Sequence, residues 1–174
     1  GYGPAYGGIR VLTYRNEMDA LHDALRLSRS MTFKCVLAGV KGGGGKTVVM
    51  AQHLINREEA MKALGREVEA LGGVYQTGPD AGFSKADGIA LSSATKHTAQ
   101  FFSAGQLRSG GEATAEGAVH GIQAALDFLG TPDVSGITVA IQGLGSVGLS
   151  LARRFLQLGA RVVGADIDES AANA

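Results

Sequence analysis

The sequence predicts an α/β fold, and three observations carry that prediction. Segments of helical and strand periodicity alternate along the whole chain. Glycine, at 27 of 174 residues, is about twice its usual share and gathers at the junctions between those segments. Toward the C-terminal end, a β-branched strand runs into a G-x-G-x-x-G turn and then a helix. Apolar residues at 45% and charged residues at 18% describe a chain able to bury a core, and only 3 prolines accompany the glycines.

The elements follow in order. Over residues 17–30, Ala20, Leu21, Ala24, Leu25 and Met31 repeat at three and four, one face of a helix that Asn16 can cap. Val48, Val49 and Met50 read as a buried strand. Residues 58–71 form a second amphipathic helix through Met61, Leu64 and Val68, stopped by Gly72 and Gly73. Val74 to Thr77 then reads as a strand entering a Gly78-Pro79-Asp80 loop. Residues 86–111 have weak periods and no clear assignment. A third helix is expected over 114–129, with Thr114 as cap and Gly130 as stop. Strands at 137–142 and 161–166 flank a helix at 146–158.

Sixteen Lys+Arg balance sixteen Asp+Glu, so no net basic field draws the chain to nucleic acid or an anionic membrane. No apolar run approaches the roughly 18 residues of a membrane span. One cysteine, Cys35, permits no internal disulfide and no Cys/His metal cluster, and a reduced, cytoplasmic protein is the expectation.

Gly143-Leu144-Gly145-Ser146-Val147-Gly148 gains its meaning from context: a strand leads in, a helix leads out, and a second strand ends at Asp166. Gly143 would make the tight turn, Gly145 admit a pyrophosphate to the backbone, and Gly148 let helix pack on strand. N–H groups at the helix start, from Ser146 and Val147, would face the phosphates. Asp166 would accept hydrogen bonds from an adenosine ribose and repel a 2′-phosphate, which favours NAD over NADP.

Lys41-Gly42-Gly43-Gly44-Gly45-Lys46-Thr47 raises a second nucleotide reading. The ordinary P-loop fails, because Val40 stands where its first glycine belongs. The lysine-first variant of partitioning-type ATPases does match, with residues 36–40 as its strand and Thr47 on magnesium. Against it, Thr47-Val48-Val49-Met50 is β-branched and reads as strand where that loop must open a helix.

Lys34, Lys46 and Asp80 offer other chemistry. Lys34 is expected just after the first helix, Lys46 ends the four-glycine run, and Asp80 sits in the Gly-Pro-Asp-Ala-Gly loop. Glycines beside a lysine let backbone and substrate approach closely. One lysine could pair with a substrate carboxylate, the other activate water, and the acid shuttle a proton. That equipment oxidises an amine at carbon and hydrolyses the imine.

These residues stand in stretches that resemble the amino acid dehydrogenases acting on glutamate, leucine, phenylalanine and valine. The matching stretches are Gly3-Pro4-Ala5-Tyr6-Gly7-Gly8-Ile9-Arg10, Met31-Thr32-Phe33-Lys34, Gly43-Gly44-Gly45-Lys46-Thr47 and Thr77-Gly78-Pro79-Asp80-Ala81-Gly82. Thr114-Ala115-x-Gly117 and the dinucleotide fingerprint follow in order. The resemblance implies that Lys34 binds the substrate α-carboxylate, Lys46 is the catalytic lysine, and Asp80 exchanges a proton with the amino group. It implies that Gly7 and Gly8 line the substrate pocket and that Thr114 lies near the nicotinamide. Glutamate-specific members carry a lysine just before the paired glycines, where this chain has Tyr6. A substrate side-chain carboxylate would lose its partner there, so an apolar or aromatic amino acid is expected.

The implied organisation is a substrate domain over 1–111 and the first part of a Rossmann doubly wound NAD-binding domain over 112–174. The family carries more chain on both sides, so the sequence is expected to be an internal fragment of a larger homo-oligomeric enzyme. A non-catalytic NAD-binding module is the third reading. Arg10 is left between anion ligand and structural pair.

Overall fold

A computed structural model of the chain describes residues 3–99 and 110–172. The chain divides into two compact units, Gly1–Gly105 and Gln106–Ala174.

The first unit is built on parallel strands that sequence periodicity had mostly not revealed. β1 (Ala5–Tyr6) and β2 (Ile9–Leu12) run nearly end to end. Helix α1 (Glu17–Leu37) follows, then β3 (Gly43–Gly44), β4 (Thr47–Met50) and a 3-10 turn at Ala51–His53. Helix α2 (Arg57–Ala70), β5 (Tyr75–Gln76) and α3 (Lys85–Ser92) complete it. β1 lies between β3 and β5, pairing Ala5 with both Gly43 and Tyr75, while β2 pairs with β4 from Ile9↔Thr47 to Leu12↔Met50. Beyond β5 the chain keeps company with β2, through Ile9 N–H to Gly78 O and Val11 N–H to Ala81 O.

Strand alternation sends Ile9 and Val11 to one face and Arg10 to the other. Ile9 and Val11 meet Met61, Ala90 and Leu91, with Val49, Leu54, Leu64 and Phe83 packed around them. Fully burying Ile9, Met61 and Leu91 contributes about 1.5–3 kcal/mol each. α2 is capped by Asn56, which accepts from the Glu59 N–H, and ends where Gly72 and Gly73 turn to positive φ. The unassigned stretch after Ala86 holds most of α3, entered through a capping box between Ser84 and Asp87. Asp87 is 3% exposed and takes two hydrogen bonds from Arg57, which ties α3 to the start of α2.

Helix α1 runs seven residues past the expected end at Ser30. Thr32, Phe33 and Val36 are weak helix formers, yet tertiary contacts hold the last turns. Ser28 Oγ donates to Gly44 O at 2.9 Å, and Thr32 Oγ1 accepts from Gly44 N–H at 3.1 Å, so the helix satisfies the edge strand β3. Lys34 therefore lies within the helix rather than after it, and residues 36–37 are helical where the ATPase reading needs a strand.

The second unit begins with α4 (Gly110–Phe128), followed by β6 (Thr138–Gln142), α5 (Ser146–Gln157), β7 (Arg161–Ala165) and α6 (Glu169–Ala172). β6 and β7 pair in parallel from Thr138↔Arg161 to Gln142↔Ala165. Val119, Val134, Phe155 and Ala160 form its core, with Leu126, Val139, Leu151 and Val162 against them. α4 starts four residues before Thr114, so Thr114 is not its cap; its Oγ1 donates back to Gly110 O at 2.7 Å inside the helix. Gly105 lies outside the described residues. Gly111 is where α4 meets the start of α5, a Cβ there falling 2.9 Å from the Ser146 backbone. Among the described residues no helix is long and apolar enough to cross a membrane.

Candidate functional site

Lys46 and Asp80 come together because the segments carrying them flank β2. Lys46 sits between β3 and β4 on one side, and Asp80 follows β5 on the other. The Lys46 ammonium donates to Asp80 Oδ2 in a short ion pair. The lysine side chain is 6% exposed and the aspartate 25%, so the lysine is sunk and the acid opens to solvent.

Arg10, on β2 between them, resolves as a structural pair rather than a lone anion ligand. Its Nε reaches Asp80 Oδ2 at 3.0 Å, and its Nη1 reaches Asp23 Oδ2 at 3.1 Å. Asp23, from α1, also accepts from the Tyr14 hydroxyl at 2.8 Å and from Arg26 at 2.8 Å. Burial works to raise the Asp80 pKa, but Lys46, the Ala81 N–H and Arg10 outweigh it and hold the carboxyl below its usual range. The hydrogen bond from Arg26, with Tyr14 and Arg10 behind it, carries Asp23 down to about 2 against its burial. Burial and the neighbouring Asp23 push Tyr14 up to about 12.

The floor beneath Lys46 is tight. Tyr75 donates its hydroxyl to Gly7 O at 2.6 Å, Thr77 Oγ1 donates to the same oxygen at 3.1 Å, and Thr47 Oγ1 donates to the Tyr75 hydroxyl at 3.1 Å. Gly7 is buried, and a Cβ there would fall 1.7 Å from Gly45 O, so its bare α-carbon lets two strands meet. At Gly8 the same atom would fall 2.7 Å from Pro79 O and 3.1 Å from Asp80 Cβ. The paired glycines thus set the spacing around Lys46 and Asp80. Tyr6 is half-buried, with its ring over Gly42.

Lys34 makes no hydrogen bond or ion pair with these residues. It is exposed in the last turn of α1, and its ammonium has no hydrogen-bond or ion-pair partner among the described residues. The partner of Lys46 is Asp80. Arg10, Asp23, Tyr14 and Tyr75 were not assigned to the site from sequence. The one available signal was Arg10, a charge between two apolar strand residues.

The second unit holds the fingerprint in the expected shape. Gly143 has φ +92°, which opens the turn, and a Cβ on Gly148 would fall 1.8 Å from Gly143 O. At Gly145, the N-cap of α5, no heavy atom outside the adjoining residues lies within 4 Å of a built Cβ, which leaves a bare stretch of backbone at the helix start. Ser146 and Val147 supply first-turn N–H groups that no helical carbonyl can satisfy. Asp166 Oδ2 accepts from the Leu144 N–H at 2.6 Å and Oδ1 from the Asp168 N–H at 2.9 Å. Those backbone donors hold its carboxyl below the usual range. A turn, an open approach and a flanking carboxylate are what a dinucleotide pyrophosphate and ribose require, so these residues fit such a group.

The lysine-first loop does not open a helix: Thr47 begins β4. Among the described residues, no group of three or more His, Cys, Asp or Glu side chains could hold a metal ion.

Comparison with known proteins agrees in both units. A family model described as Glu/Leu/Phe/Val dehydrogenase, dimerisation domain, matches residues 1–96. A second, described as Glutamate/Leucine/Phenylalanine/Valine dehydrogenase, matches 105–171. The chain is 38% identical to phenylalanine dehydrogenase of Lysinibacillus sphaericus, covering 98% of this chain and 46% of that protein. It is 38% identical to leucine dehydrogenase of Bacillus subtilis, over 96% of this chain and 47% of the other. The crystal structure of L-tryptophan dehydrogenase from Nostoc punctiforme superposes with a TM-score of 0.74 at 35% identity, covering 99% of this chain and 49% of that one. The chain spans about half the length of these relatives.

Proposed function

The chain belongs to the glutamate/leucine/phenylalanine/valine dehydrogenase family, and from that premise we propose that its protein catalyses reversible, NAD-dependent oxidative deamination of an apolar or aromatic L-amino acid to a 2-oxo acid and ammonia. The observation that carries this reading is the Lys46–Asp80 pair, a sunken ammonium against a partly open carboxylate. In this reading the first unit is the substrate domain and the second the start of the dinucleotide domain.

A nicotinamide dinucleotide would supply the acceptor for the Cα hydride, held by Gly143, Gly145, Ser146, Val147, Gly148 and Asp166, with Thr114 toward its nicotinamide. Asp166 as ribose acceptor favours NAD over NADP. Lys34 binds the substrate α-carboxylate from the end of α1. Asp80 takes a proton from the substrate ammonium, which frees the nitrogen lone pair to push hydride from Cα. Before it acts, Lys46 has passed its ammonium proton to solvent by way of the partly open Asp80. It is then the amine base that orients water and takes its proton as the oxygen adds to the imine carbon. Asp80 returns its proton to nitrogen, ammonia leaves as the carbinolamine oxygen closes to the carbonyl, and the freed Asp80 carboxylate takes that oxygen's proton.

Tyr6 supports an uncharged substrate side chain, since no cation stands at its position to meet a carboxylate. The named relatives act on phenylalanine, leucine and tryptophan, which supports the same class. A homo-oligomer is proposed from the family description of the first unit as a dimerisation domain. The single, buried, unpaired Cys35 suits a reducing, cytoplasmic setting.

The test is a screen of L-amino acids against the protein expressed from its complete reading frame, following NADH absorbance. Leucine, phenylalanine or a similar substrate should drive reduction, and Lys46→Ala should lower kcat by about 10²–10⁴-fold with dinucleotide affinity unchanged. Full activity in Lys46→Ala would refute the catalytic assignment.

A further inference from the structure

Beyond Lys46 and Asp80, the first unit spends an unusual amount of charge on one line. From β2, Arg10 reaches two acids at once, Asp80 at 3.0 Å and Asp23 at 3.1 Å, with its side chain 19% exposed. Asp23 is in turn held by Arg26 and the Tyr14 hydroxyl. A surface ion pair needs none of this, and exposed pairs contribute little to stability. Both side-chain donors to Asp80, Lys46 Nζ and Arg10 Nε, converge on Oδ2. Oδ1 has no side-chain donor among the described residues, and the Ala81 N–H is the one further donor to the carboxyl there.

We propose that Arg10 is a positioning residue for the acid–base pair: clamped by Asp23, it fixes Asp80 Oδ2 against Lys46 and presents Oδ1 to the substrate amine. This inference rests on the deaminase reading for its purpose, but its geometry stands apart from it. A planar guanidinium suits the task, since two of its edges meet two carboxylates in fixed directions, which a lysine cannot do. The charged groups facing Asp80 are Lys46, from the β3–β4 segment, and Arg10, from β2. Behind Arg10 stand Asp23 and Arg26, from α1, and the Tyr14 hydroxyl. Burial of Asp80 opposes its ionisation, and Arg10 is among the groups that overcome it. Removing Arg10 leaves Lys46 as the one facing cation, and the carboxylate becomes easier to protonate and freer to rotate.

The test uses the protein from its complete reading frame and two readouts. Carboxyls add to carbodiimide in their protonated form, so the pH dependence with which Asp80 itself is modified, located by fragment ions and taken relative to the exposed Glu17 in the same sample, reports Asp80 protonation by mass spectrometry. In Arg10→Met the half-point should rise by about one pH unit, the low end for losing an opposite charge at hydrogen-bond distance. Turnover should fall by about 10- to 100-fold, as for a misplaced reacting group, with KM moving less than kcat. Arg10→Lys should recover the half-point but not kcat. Should Arg10→Met fail to fold, Asp23→Asn frees the far end of the clamp and must move both readouts in the same direction by less. A folded Arg10 variant that loses thermal stability alone, with the Asp80 half-point and kcat unmoved, overturns the proposal. If the wild-type protein deaminates no amino acid, the functional reading fails, while the Asp80 half-point still decides whether Arg10 governs that carboxylate.

Discussion

Replacing Gly145 by alanine should separate folding from dinucleotide binding. The backbone there is extended, with φ −68° and ψ −165°, so an L side chain meets no strain. No heavy atom outside the adjoining residues lies within 4 Å of the added methyl. Glycine is a better N-cap than alanine, a loss of about 0.5–1 kcal/mol. Alanine also stiffens the unfolded chain, a gain of about 0.4–1 kcal/mol. These offset, and stability should change by less than about 0.5 kcal/mol. A pyrophosphate approaching that backbone meets the methyl instead, an overpacking cost of about 1–3 kcal/mol. At about 1.4 kcal/mol per decade that weakens binding by about 5- to 150-fold. Calorimetric titration with NAD beside a urea unfolding curve measures both quantities. Gly148→Ala is the contrasting control, since its Cβ would lie 1.8 Å from Gly143 O and the turn itself must move; it should lose about 1–3 kcal/mol or more of stability. Normal NAD affinity in a stable Gly145→Ala protein would refute the close-approach argument.

Three further outcomes are expected. Arg57→Met strands the Asp87 carboxylate, which is 3% exposed; the loss should be about 3 kcal/mol by chemical denaturation, at the low end for a broken buried pair because Arg57 is partly open to water. Asp23, lowered from 3.8 to about 2 in the fold, contributes stability that is complete above its unfolded value and is lost as pH falls through that interval; acid unfolding curves of Asp23→Asn should be flatter there than wild type. Tyr6→Lys should raise activity on glutamate relative to leucine or phenylalanine, measured as the ratio of kcat/KM values, because a cation then meets the substrate carboxylate.

Legibility differed between the two units for a physical reason. Wherever structure is set by contiguous residues, periodicity and turn chemistry sufficed: Asn16 caps α1, Gly72 and Gly73 end α2, and Gly143 turns β6 into α5. β1 and β3 carry two residues each, Ala5–Tyr6 and Gly43–Gly44, too short and too small to show alternation. The end of α1 was hidden because its last turns are held by hydrogen bonds between Ser28, Thr32 and Gly44 rather than by propensity. The capping box at Ser84 and Asp87 draws its weight from Arg57, on another helix.

By itself, the sequence determined the dinucleotide unit, since strand, turn, helix and acid form one continuous run whose backbone conformation is dictated locally by glycine. It also singled out Lys46 and Asp80, which the fold brings together as an ion pair. Only the tertiary structure decided how they are held. Parallel pairing carries Lys46 and Asp80, 34 positions apart, to either side of β2. It sets Arg10 between them and Asp23 behind it, and leaves Lys34 exposed on α1 with no hydrogen bond or ion pair to either. Such convergence depends on which strands become neighbours, and neighbours in a parallel sheet are joined by long crossovers that leave no mark in local spacing.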